Sequence, residues 1–419
     1  MNREEVIKIA VRKFGPFETA LQKLWDGYCA ETGCTLRAEM VPMDLELLYE
    51  TIIARKGLQN GDWDIAHVVT DWLFEAWSNG LLENLQPYIA NNPPENYPKG
   101  WSESLLGAQS FDNGIAGLPF HDGPECLIYR KDLFESPEEQ QAYQQLHGKP
   151  LKVPQTWEEF LTVARFFTRP EQNLYGTVFA GYPDGHNTVF DFVLQLWTRG
   201  GKLTSEDRNI NINTKEAAEG IEYYRNIITD ASATHPGSKD YESVQMGMAF
   251  ARGEVAMMVN WFGFASMCEV LAESAVKGKV DISTIPSNQG VQSASLNVYW
   301  LYTIGAGSQH KNIAYDFLRY AVNRSNDKLL TMEGGIGCRI STWKDEDVNK
   351  LIPYYHKLED LHKVAQSLPQ KHNWAQIAAI IDEVVLSAIN TNVSAEQLLT
   401  EGQKKIDQLT LAPTHANSI

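Results

Sequence analysis

The chain has 419 residues, 43% of them hydrophobic and 21% charged, the balance of an ordinary globular protein with enough apolar content to fill its own cores. At roughly 100–200 residues per domain, this length calls for two or three domains. The formal net charge of −17 comes with no Lys/Arg-rich run; phosphate recognition needs a clustered basic surface, so nucleic acid is not expected as a partner.

The first segment, Val-Ile-Lys-Ile-Ala-Val at 6–11, predicts a buried strand. Met1 to Glu5 lead into it without an apolar leader, and no stretch of the chain is long enough to span a bilayer. A helix follows with Phe17, Leu21, Leu24 and Tyr28 on one face, and Gly33 stops it. Residues 64–69 predict a second core strand, leading into a helix over about 72–79 that ends at Gly80. Strand and helix thus alternate through the first hundred residues, the signature of an α/β unit with a parallel sheet. Residues 91–100, rich in Pro and Asn, predict a loop. The alternation restarts after Gly117-Leu118-Pro119 with a strand at 126–129. Helix starts are marked by Thr156 with Glu159, Asn213 with Glu216, and Ser394 with Gln397. Further strands are predicted at 255–259, 280–285 and 298–304. No internal repeat and no low-complexity linker separates the parts. Ligands in open α/β folds bind outside the carboxyl ends of the strands, so a cleft between two lobes is the first place to expect a site.

Catalytic signatures are sparse. The chain has no phosphate loop, no G-x-G-x-x-G after a strand, no H-E-x-x-H and no G-x-S-x-G. The five cysteines, Cys29, Cys34, Cys126, Cys268 and Cys338, are scattered and odd in number, arguing against a disulfide framework or a zinc site. Of His356, Asp360 and His362, only the first two share a helical face, which favours a solvated surface over a metal site. No cofactor is expected. His121-Asp122 follows a proline where the chain is expected to pass between lobes. It reads as an acid–base pair, as polar ligand contacts, or as a hydrogen-bonded hinge.

Aromatic residues carry the stronger signal. Of the 11 tryptophans, several sit where strands give way to loops or helices. Trp72 follows the strand ending at Val69, Trp261 and Phe262 follow 255–259, Trp300 lies in 298–304, and Trp374 opens a late helix. Trp25 and Trp157, within apolar helical patterns, read as core. Sugars offer apolar C–H faces that stack on rings and hydroxyls that need placed polar groups. Asp71 precedes Trp72, Asn260 precedes Trp261, and Asn297 lies just before Trp300.

Ordered segments extend this pattern along nearly the whole chain: Tyr28 to Gly33, the strand–Asp–aromatic–helix run 64–82, Gly117-Leu118-Pro119 followed by Tyr129 to Phe134, Pro154 to Glu158, Trp197 to Gly201, Phe250 to Met257 with Trp261, and Gly334 to Arg339. In this order they resemble the extracellular solute-binding proteins of bacterial carbohydrate ABC transporters, the group that includes the maltose-binding protein. The resemblance implies a two-lobed α/β periplasmic-binding-protein type II fold with hinge crossovers and an interlobe cleft closing on ligand. It divides the chain into a first lobe over 1–118 and 284–335 and a second over 119–283, with 336–419 forming second-lobe and hinge-spanning helices. Asp71 and Trp72 are implied to face ligand from the first lobe, and Asn260, Trp261 and Phe262 from the second, with His121 and Asp122 at the hinge. Phe14, Glu18, Asn297, Trp300, Arg339 and Trp374 are further implied contacts. The implied ligand is a sugar or oligosaccharide, the implied partners are transporter permease subunits, and the implied state is monomeric, without catalysis. A periplasmic or cell-surface location follows from the resemblance. The bare amino terminus, and Cys29 with Cys34, keep a cytoplasmic one open. The same fold can also serve as a ligand-binding sensor, and the abundant carboxylates leave glycoside processing as a further alternative.

Overall fold

A computed structural model describes residues 6–111 and 114–411; the opening residues 1–5, read above as leading into the first strand, lie outside them. The chain forms two compact units, one of residues 1–124 and 297–372, the other of 125–296 and 373–419. These bounds differ from the sequence expectation in one large respect: 336–372 belong to the first unit. The reason is local hydrogen bonding. Asp122 N donates to Ile336 O at 2.8 Å, Ile336 N donates to His121 Nδ1 at 2.9 Å, and Ile340 N donates to Gly100 O at 3.0 Å.

In the first unit a five-stranded sheet runs in the order Arg37–Met43, Val6–Arg12, Ile65–Val69, Trp300–Ile304, Leu118–His121. The first three strands are parallel, as alternation predicts, but Trp300–Ile304 enters antiparallel to both its neighbours. Ile7, Ile9, Ala10 and Val11 are fully buried, as is Ile65, so both faces of the central strands are covered. The helix Gly15–Thr32 begins after the extended Phe14, carries Pro16 in its first turn and ends at Gly33 in the left-handed region, φ 72°. Its buried stripe is Phe17, Ala20, Leu21, Leu24, Trp25 and Tyr28.

The second unit holds a three-stranded antiparallel sheet ordered Met257–Trp261, Glu125–Arg130, Val280–Ser283. Helices Asn187–Trp197, Lys215–Ile228, Trp374–Asn390 and Ala395–Leu411 pack on one another in the same unit. The start of Trp157–Phe167 is a complete capping box: Thr156 Oγ1 accepts from Glu159 N at 3.2 Å, and Glu159 Oε2 accepts from Thr156 N at 3.3 Å. We expect Thr156→Ala to lower stability by about 1 kcal/mol, read as a shifted urea midpoint at unchanged slope. Ser394 caps as expected, accepting from Gln397 N at 3.3 Å. The start read at Asn213 falls one residue later: Thr214 is the extended residue, and its hydroxyl accepts from Ala217 N at 3.2 Å.

Candidate functional site

The first unit gathers its aromatic and polar candidates where Ile65–Val69 runs into the helix Thr70–Ser78. Trp300 pairs across the sheet with Val69 and, on its other side, with His121. Its ring lies 6.1 Å from that of Trp72 at 82°, and Trp72 meets Tyr49 edge-on at 5.2 Å. Trp72 is buried and Trp300 half-buried, so Trp300 keeps the more accessible ring. Beside them a pocket is lined by Thr70, Asp71, Phe74, Asn297, Gln370 and Lys371, among others. Asn297 is 2% exposed; its Nδ2 donates to Ser104 O at 3.0 Å, while its buried Oδ1 finds no partner among the described residues. An unpaired buried acceptor is costly unless a ligand or water satisfies it.

Phe14 is 42% exposed and packs edge-on against Phe17 at 5.0 Å; Glu18, one turn into the same helix, is partly exposed. His121 and Asp122 do not act on each other as an acid–base pair with free faces. His121 Nδ1 accepts from Ile336 N, and burial pulls the imidazole pKa down to about 4, against the opposing field of Asp122. Asp122 is 2% exposed, and its Oδ2 lies 2.6 Å from His362 Nε2. His362 Nδ1 in turn lies 2.8 Å from Ser104 Oγ, and the ring stacks on Trp343 at 4.8 Å and 10°. Asp122 thereby anchors the end of the first unit's opening segment through Oδ2, while its buried Oδ1, like that of Asn297, finds no partner among the described residues. His362 belongs to that anchor, and His356 bonds instead to Asn349. Among the described residues no group of three or more His, Cys, Asp and Glu side chains is arranged to hold a metal ion.

The expectation for Arg339 is corrected. It is 2% exposed, donates to Val322 O and Glu95 O at 2.9 Å each, and lies over the Trp101 ring at 4.4 Å. Its charge is spent on backbone carbonyls inside the first unit.

In the second unit Trp261 ends the strand Met257–Trp261, half-buried, with its ring 5.5 Å from Phe190 at 85°. Phe190 in turn meets His186 edge-on at 5.6 Å. Asn260 is 2% exposed: Nδ2 donates to Ser243 O at 3.1 Å, and Oδ1 accepts from Trp261 N at 2.8 Å. It shapes the strand end that presents Trp261 and has its polar atoms committed, so it is not a free contact. Phe262 is fully buried at the start of Phe262–Val270, and Trp374 is 4% exposed at the start of its helix. Both are core.

Two neighbouring carboxyls, one of them opposite Trp261, escaped the sequence reading. Glu125 stands opposite Trp261 in the sheet register, is 5% exposed, and has a buried Oε2 without a partner among the described residues. Burial, with Asp191 nearby, holds its carboxyl well above the usual range. Asp191 accepts from Tyr224 OH at 2.6 Å; burial pushes its pKa up to about 7, the tyrosine hydrogen bond opposing and Asp184 adding. A signal for both was present: Glu125 opens the apolar run Cys-Leu-Ile-Tyr, and Asp191 is the lone acid of the apolar helix Asn187–Trp197.

His67, fully buried among Phe17, Phe120 and Tyr302, is pulled down to about 3 by burial and by His121. Its folded pKa lies below the unfolded value, so the unfolded chain takes up a proton that the native state refuses. Stability attributable to it is intact above about pH 6.5 and falls as the pH drops toward its folded value, by about 1.4 kcal/mol per pH unit. His121, partly exposed, adds less. Urea midpoints measured stepwise between neutral pH and about pH 5 are expected to fall, and His67→Gln is expected to flatten that fall.

The chain is a two-unit α/β protein whose candidate rings and buried polar groups gather near strand ends. The chain belongs to the bacterial extracellular solute-binding protein family, whose model matches residues 20–328. It is 21% identical to the mannitol-binding protein of Pseudomonas aeruginosa, over 87% of this chain and 84% of that one. An ABC transporter solute-binding protein of Agrobacterium radiobacter K84, solved with ribitol, shares the fold at a TM-score of 0.84 and 24% identity, covering 97% of this chain and 98% of the other. Maltose-bound MalE3 of T. maritima superposes at 0.83 with 20% identity, covering 96% and 99%.

Proposed function

We propose that this chain captures a neutral, hydroxyl-rich solute, a sugar or sugar alcohol, for an ABC transporter, and releases it unchanged. The observation that carries the reading is the first unit's combination of the Trp72–Trp300 ring pair with the adjoining pocket, where Asp71 and the unpaired Oδ1 of Asn297 lie together. Flat apolar walls beside a few placed acceptors suit a polyol, whose C–H faces stack and whose hydroxyls donate. Ligands named for relatives, ribitol, mannitol and maltose, belong to this chemical class. Trp261, Glu125 and Asp191 are separate candidate contacts on the second unit, and Phe14 and Glu18 are further candidates on the first. Transporter permease subunits are the proposed partners. The proposed location is outside the cytoplasmic membrane, as the family's name describes. Among the described residues no helix is long and apolar enough to cross a membrane.

The test is a thermal-shift and calorimetry screen of alditols, monosaccharides and maltodextrins. A cognate solute at about one hundred times its Kd should add about 2.7 kcal/mol of stability. Silence across all three classes would remove the carbohydrate assignment. Solute recovered chemically altered would remove the assignment of binding without turnover.

A further inference from the structure

The solute-binding reading leaves one pair of side chains unused. Cys29 lies in the last turn of the helix Gly15–Thr32, and Cys34 follows the left-handed Gly33 that ends it. Gly33 N donates to Cys29 O at 2.9 Å, and Cys34 N donates to Thr32 Oγ1 at 3.3 Å. In this cap the residue three before the helix end and the residue just past the glycine are turned back toward each other; in many helices that contact is apolar. Here both positions are cysteine, and Cys34 adds to burial in raising the Cys29 thiol. Both are partly exposed, whereas Cys126, Cys268 and Cys338 are buried.

We infer that Cys29 and Cys34 are a site of reversible disulfide formation, closed by exchange with a small external disulfide of the oxidised-glutathione class. Cys34 loses its proton and attacks one sulfur of the external disulfide; that S–S bond breaks and one thiol departs. The Cys34 mixed disulfide is then attacked by Cys29, which releases its proton as the Cys29–Cys34 bond forms and the second external thiol leaves. The protein gives up two electrons and two protons, and the external disulfide is reduced to two thiols. The order follows from the surroundings of Cys29: burial first, then the neighbouring Cys34, push its thiol up to about 11, which makes it a poor first nucleophile. Once Cys34 carries the mixed disulfide, proximity drives the second attack. The bridge would span Gly33 and pin the helix end where the chain turns toward the edge strand Arg37–Met43.

Both cysteines fall on one tryptic peptide, residues 24–37, between Lys23 and Arg37. The full chain, folded and reduced, is incubated with oxidised glutathione, denatured in excess N-ethylmaleimide and digested. The expected result is a 24–37 peptide lighter by two hydrogen atoms and free of alkyl groups, with Cys126, Cys268 and Cys338 fully alkylated. In Cys29→Ser, glutathione should remain on Cys34, because nothing is left to resolve it. A wild-type peptide carrying two alkyl groups, or retaining glutathione, would overturn the inference, as would a bridge from either residue to one of the buried cysteines. Circular dichroism of Cys29→Ser before oxidation checks that the comparison is between folded proteins.

Discussion

Replacing Trp261 with alanine is expected to weaken solute binding by roughly 30- to 1,000-fold, the 2–4 kcal/mol that truncating a central tryptophan anchor costs. The ring ends its strand half-buried, is held edge-on by Phe190, and has Glu125 opposite it in the register. Its position depends on Asn260, whose carbonyl fixes the Trp261 backbone N–H, so the indole is presented without a large ordering cost. Trp261→Phe keeps a flat apolar face and should recover most of the affinity. Calorimetry measures both variants, with melting temperatures of the free proteins as the control for folding. Unchanged affinity in Trp261→Ala would remove this strand end from the set of contacts.

The largest expected loss of stability lies elsewhere, at Asp327. This residue is 2% exposed, and its carboxylate accepts from Cys338 N at 2.8 Å, Arg339 N at 3.2 Å and Thr342 Oγ1 at 2.5 Å. Burial pushes its pKa up to about 6, and those three hydrogen bonds limit the rise. Asp327→Ala leaves two backbone donors and a hydroxyl buried without an acceptor, and is expected to cost about 3–5 kcal/mol. Asp327→Asn keeps one acceptor oxygen and should lose less. Urea unfolding resolves the two. The same segment positions Arg339, so the Asp327 variants should destabilise the first unit while leaving Trp261 and its neighbours in the second unit folded.

What was legible in the chain follows from the range of the forces involved. Helix faces and caps are local, and Thr156 with Glu159, or Phe17 through Tyr28, could be read directly. The place of 336–372 could not, because these residues join the first unit through hydrogen bonds to Gly100, His121 and Asp122, all more than two hundred residues earlier. The same limit governs the site. Trp72, Trp300 and Trp261 could be singled out as candidates because a ring just past or within a strand is a local pattern. Arg339 was misread because a polar residue near a motif looks the same whether it faces solvent or spends its charge on the carbonyls of Val322 and Glu95. Glu125 and Asp191 were passed over among 53 acidic residues, since only their burial sets them apart.

The chain passes from one unit to the other three times, after Pro124, Leu296 and His372. During vectorial synthesis the first unit therefore waits, with its sheet short of the strand Trp300–Ile304, until the whole opening segment of the second unit has been made. The second unit waits in turn for the helices Trp374–Asn390 and Ala395–Leu411 at the carboxyl end. Neither can close its core from a contiguous piece, so each stays incompletely packed until its own last segment, beginning at 297 or at 373, has been made. Contacts this far apart in sequence fold slowly. That delay leaves an interval in which a chaperone can act on a chain that is still incompletely packed.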